Sequence, residues 1–100
     1  MAPEELENHN RLRLSAIRAL LGAILPDVRL VKVRWNRQTI EFTALCETLS
    51  QEAREELSIA ATEILADFPD ADIEEQIVEW RGPLPSEDAF EAGWVFQRAE

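Results

Sequence analysis

The chain has 100 residues, among them one cysteine, one histidine, one methionine, three glycines and no tyrosine. Each scarcity removes a class of protein. One cysteine forms no internal disulfide, and one Cys with one His falls short of a closed zinc site. Glycines dispersed at 22, 82 and 93 make no phosphate-cradling loop. No apolar run approaches the roughly 18 to 20 residues of a membrane span. The longest, Ile17 to Leu25, is broken by Arg18 and Gly22 and stopped by Pro26. The opening Met-Ala-Pro-Glu-Glu is acidic, unlike the basic start of a signal peptide, so a cytoplasmic location with Cys46 as a reduced thiol is expected. A chain this short is expected to be one domain over residues 1–100, fraying at 1–10, that buries about two-thirds of its unfolded surface.

Basic side chains are also scarce: 10 Lys and Arg stand against 20 Asp and Glu, for a formal net charge of -10. The imbalance is uneven. Residues 1–40 hold seven basic and four acidic side chains, whereas residues 41–100 hold three basic and sixteen acidic ones.

What is present is amphipathic pattern. Pro3 opens a helix at its first turn, with Glu4, Glu5 and Glu7 at the positive end of its dipole, although Asn8 and Asn10 also suit a later start. Leu14, Ile17, Leu21 and Ile24, flanked by Ala16 and Leu20, recur at helical spacing and predict the buried stripe. Pro26 ends the helix. The period then becomes two: Val31, Val33 and Trp35, then Ile40, Phe42 and Ala44, predict a hairpin turning at Asn36-Arg37, with Val33 opposite Ile40, Val31 opposite Phe42 and Lys32 opposite Glu41. Thr48 or Ser50 caps a second helix, with Ala53, Leu57, Ala60, Ala61, Ile64, Leu65 and Phe68 facing inward. A Glu-rich strand near Ile73 to Arg81 alternates poorly, which fits a bulge or an edge position. Ser86 to Ala92 reads as an acidic connection with a short helical turn, and Gly93 to Ala99 as a last strand. The expected fold is α+β: a two-layer sandwich in the order α-β-β-α-β-β, with two helices on a mainly antiparallel four-stranded sheet.

No set of residues in this pattern points to catalysis. His9, in a fraying helix, has no nucleophile or acid motif beside it, and a lone exposed histidine is far more often inert. Cys46 falls on the inward face, where cysteine acts as a small hydrophobe. The densest acidic set, Glu52, Glu56, Glu63 and Asp67, lies on one side of the second helix with Ile59. An outward stripe lacks the concave, desolvated setting of a paired acid and base, and the spacing alone does not converge on a metal. Its commoner meaning is a solvated helix face. Its sharper meaning is a binding surface, with Ile59 as an apolar anchor ringed by acids and with Glu74, Glu75 and Glu79 extending it. Lys32, Arg34 and Arg37, with Arg29 close by, offer a rival nucleic-acid surface. Trp35 faces the other way, however, and the total charge repels phosphate, so neither nucleic acid nor membrane is expected as a partner.

Ala19 to Pro26 followed by Arg29-Leu30-Val31, then Ala61 to Pro69, and the closing Val95-Phe96-Gln97-Arg98 resemble the small bacterial αββαββ immunity-type proteins of contact-dependent inhibition and polymorphic-toxin systems. The resemblance spans most of the chain after residue 12. It implies a non-enzymatic binder without cofactor or metal that blocks a cognate protein toxin as a heterodimer. The charge argument agrees independently: an acidic protein mimics the polyanion that a nuclease-type toxin binds in its basic active site. The alternatives are a homo-oligomeric structural or adaptor domain, closing acidic helix on basic hairpin, and, ranked last, a small enzyme with an acidic pocket.

Overall fold

A computed structural model of the protein describes residues 2–21, 26–85 and 93–98. The elements run α1 (Pro3–Leu20), β1 (Val28–Asn36), β2 (Thr39–Cys46), α2 (Gln51–Ala66), β3 (Asp72–Glu79) and β4 (Trp94–Gln97), in the α-β-β-α-β-β order expected. The four strands form one sheet in the order β3-β2-β1-β4. β1 pairs antiparallel with β2 and β4, while β2 and β3 are parallel. Parallel neighbours need a crossover of a dozen or more residues, and α2 supplies it. The Glu-rich β3 is indeed an edge strand, where charge discourages pairing with another chain. The predicted Ser86 to Ala92 turn lies outside the described residues.

The core forms between the helices and one face of the sheet. Leu12 and Ala16 from α1, Val31 and Val33 from β1, Ile40 and Phe42 from β2, Leu57 and Ile64 from α2, and Ile77 from β3 are among its members. Ser50 starts α2, its side chain accepting a hydrogen bond from the Ala53 N–H at 3.0 Å. Pro3 starts α1, which has no side-chain cap at Ala2. Cys46 is fully buried as expected, and desolvation, reinforced by the Asp27 carboxylate, pushes its thiol pKa up.

Three expectations are corrected. The buried face of α1 consists of His9, Leu12, Ser15, Ala16 and Leu20, while Leu14, Ile17 and Leu21 are exposed. Ile24 lies outside the described residues. The stripe chosen from its large side chains is therefore the outer one, and His9 is buried rather than free in solvent. The hairpin turns at Arg37-Gln38, so Val33 faces Phe42, Val31 faces Ala44 and Arg34 faces Glu41. A shift of two residues preserves which side chains point inward, so the core face was right although every partner changed. Arg37 occupies the left-handed region with φ of 59°, a conformation that glycine adopts at far less cost. Finally, Arg29 is not part of an open cationic surface. It is the extra residue of a bulge in β1, 7% exposed, and donates to the Trp80 and Gly82 carbonyls at 2.7 and 2.8 Å. It thereby pins the chain leaving β3 to β1.

Candidate partner-binding surface

α2 places its small and aliphatic residues on the sheet because Ala53, Leu57, Ala60, Ala61 and Ile64 recur at helical spacing. That choice turns Glu52, Ile59 and Glu63 outward and leaves Glu56 half-buried on the shoulder. Ile59 is 53% exposed, a large apolar side chain among carboxylates. None of the ion pairs among the described residues involves Glu52, Glu56 or Glu63.

The other acids of the predicted set are placed differently. Asp67 follows the last turn of α2 and accepts a hydrogen bond from the Ser15 hydroxyl at 2.6 Å, tying α2 to α1. Glu79 accepts from the Leu49 N–H at 3.0 Å and lies 3.6 Å from Arg81, so it helps to hold the entry to α2. Glu75 and Glu79 share the β3 face that carries Ile77, the side on which α2 packs. Glu74, one residue away, projects from the opposite face, beside Glu41 in register. One surface thus holds Glu52, Glu56, Ile59 and Glu63, with Glu75 on the same side of the sheet, while Glu74 is separated by the sheet itself.

The cations are partly engaged. Arg34 donates to Glu41 at 2.5 Å, and this hydrogen bond holds the Glu41 carboxyl below its usual range. A cleft of about 900 Å³ opens at the hairpin end, between α1, the hairpin tip and the turn after α2. Trp35 and Phe68 form its apolar wall, edge to face with ring centroids 5.2 Å apart, and Arg11 lies 5.4 Å above the Phe68 ring. Arg34, Arg37, Glu5, Asp67 and Asp70 line it as well, so its charges are mixed. The sequence reading missed this cleft because it joins residues from four separate elements. Among the described residues no group of three His, Cys, Asp or Glu side chains is placed to hold a metal ion, and no helix is long and apolar enough to cross a membrane.

Two helices on one face of a four-stranded sheet, with an acidic flank left open on α2, define a small α+β protein with a candidate binding surface. The chain belongs to the MafI2 immunity protein family, whose model matches residues 9–100. No curated protein matches it. Among solved structures it is similar to one chain of the tri-AMPylated Shewanella oneidensis HEPN toxin in complex with MNT antitoxin, at 22% identity and a TM-score of 0.47. That likeness covers 70% of this chain and 56% of the other, so the chain spans little more than half the length of that neighbour.

Proposed function

We propose that this immunity protein neutralises its toxin by occlusion, without catalysis, as a heterodimer in which the open flank of α2 covers a basic active site of the nuclease type. The observation that supports this most directly is the placement of Glu52, Glu56 and Glu63 around exposed Ile59 with no cation paired to them within the described chain. Three carboxylates on one rigid helix offer a polyanion-like row, and Ile59 gives the contact an apolar centre. With a total charge of -10, encounter with a basic partner is steered and fast. Asp67, Glu75 and Glu79 act at the margin of this surface, where two of them also hold the fold together.

The test uses a cognate toxin domain, sought in the reading frames adjacent to this chain's and co-expressed and purified with it. The expected result is a one-to-one complex whose association rate falls steeply with salt. The double substitution Glu56→Lys with Glu63→Lys is expected to slow association by about tenfold or more, in a variant whose melting temperature is unchanged. A folded double variant that binds at the original rate and affinity would overturn the assignment of this face.

A further inference from the structure

α1 leaves a second apolar face uncovered. Leu6, Leu14, Ile17 and Leu21 are 40, 62, 44 and 77% exposed, four of the seven large hydrophobic side chains exposed among the described residues. At 100° per residue these four fall within one quadrant of the helix, on the side away from Leu12 and Ala16. Scattered exposed leucines need no explanation, but a contiguous row marks an interaction surface. The row is bounded on one side by Arg13, which donates to the Trp94 carbonyl at 3.1 Å, and on the other by Ser15, bonded to Asp67 of α2. It is therefore the outward ridge of α1, flanked by the rest of the fold and covered by none of these elements.

The charges beside the ridge identify what fits it. Glu7 and Arg18 are both exposed, and both lie on the α2 side of the ridge, one near each end of the helix. When two copies of such a helix meet antiparallel about a two-fold axis, side chains on the same flank face one another. With Leu6 set opposite Leu21 of the second copy, Glu7 comes within two residues, or about 3 Å along the axis, of the second copy's Arg18. The contact occurs twice by symmetry. In the same register Ile17 faces Asn10, and the two Leu14 side chains meet near the axis. A parallel two-fold arrangement would put the two Glu7 side chains, and the two Arg18 side chains, on opposite sides of the contact and pair none of them.

We infer that the outer face of α1 is a self-association surface, on which a second copy of this chain packs antiparallel through Leu6, Leu14, Ile17 and Leu21 with Glu7 and Arg18 paired across the axis. This contact leaves the acidic flank of α2 open, and it differs from closure of an acidic helix on a basic hairpin. One helix pair is small for an interface, so association in the micromolar range is expected.

Sedimentation velocity of the full chain from about 5 to 500 μM tests the inference. The weight-average mass is expected to rise from 11.4 kDa toward twice that value. Leu14→Glu removes an exposed side chain, so it is expected to melt normally and to weaken self-association at least tenfold. Arg18→Glu weakens it less, and Glu7→Arg combined with Arg18→Glu restores it, as the antiparallel pairing of these two positions requires. Glu56→Lys with Glu63→Lys leaves it unchanged. A wild-type chain that stays monomeric at 500 μM overturns the inference, as does a dimer that survives Leu14→Glu. A monomeric wild type that loses its toxin through Leu14→Glu assigns the ridge to the toxin and overturns it equally.

Discussion

α2 shows one apolar face, which it buries, and one acidic flank, which it leaves open; α1 has apolar side chains on two faces and buries only one. The buried face of α1 is the less hydrophobic by inspection, since it includes His9 and Ser15 while the exposed face has Leu14, Ile17 and Leu21. The difference lies in what each helix must fit. α1 packs on a sheet already filled by Val31, Val33 and Phe42 and beside α2, so small residues at 15 and 16 allow close approach. A helix whose larger apolar residues point away from its own core has a second apolar face to cover, whereas α2 leaves only Ile59 among its acids outside its buried face.

The largest expected effects come from swapping the roles of these faces. Leu12→Ala in α1 and Leu57→Ala in α2 each empty a fully buried site and are expected to cost about 3 kcal/mol. Leu14→Ala and Ile59→Ala remove exposed side chains, and each should change stability by less than about 0.5 kcal/mol. Urea denaturation of the four variants measures this directly. A loss at Leu14 as large as at Leu12 would mean that the outer ridge is part of the fold.

Much of the fold was legible in the sequence because period-two and helical patterns report which residues share a face. The inward set of the hairpin, the buried face of α2 and the edge position of β3 all rest on that signal. The turn was misplaced by one residue, which moves the register by two. Asn36 is a good turn former, and nothing in the pattern favours a left-handed Arg37, yet either turn keeps the same side chains inward. α1 misled because hydrophobicity summed by size favours Leu14, Ile17 and Leu21 over Ala16 and Ser15. The acidic stripe of α2 was legible as a helix face, but its boundaries were not. Asp67 and Glu79 are hydrogen-bonded to other elements, and the pleat of β3 sends Glu74 away from Glu75. The bulge that buries Arg29 has no signature in composition at all.

Next in size are the contacts that hold the two helices in place. Asp67→Ala removes the acceptor for Ser15, and Ser50→Ala removes the cap of α2; each is expected to cost about 1 kcal/mol. α1 begins at Ala2 without a side-chain cap, so Ala2→Asp is expected to stabilise it by about 0.5 kcal/mol. Thermal melts of the three variants separate the helices: equal losses on capping α1 and uncapping α2 would show that the start of α1 is not formed as described. Asp67→Ala also sharpens the assignment of the acidic flank, because it should weaken toxin binding far less than Glu56→Lys with Glu63→Lys while costing more stability.

The smallest effect concerns where the basic first part of the chain meets the acidic second part. Arg34 and Glu41 form that junction on the outer face of the sheet, and the hydrogen bond from Arg34 lowers the Glu41 pKa in the folded state. A carboxyl whose folded pKa lies below its unfolded value adds stability above the unfolded pKa and loses it as pH falls through the folded one. Arg34 is 60% exposed, so solvent screening limits the contribution to less than about 1 kcal/mol. Glu41→Gln is therefore expected to melt slightly below the wild type at pH 7, and the gap should close as the pH falls through the carboxylate range. Added salt should narrow it as well, since an exposed pair is screened. A gap that widens on acidification would have the wrong sign for an acid stabilised in its charged form. The Arg34–Glu41 pair would then be a contact that the folded chain tolerates, with the core between helices and sheet alone holding the hairpin in register.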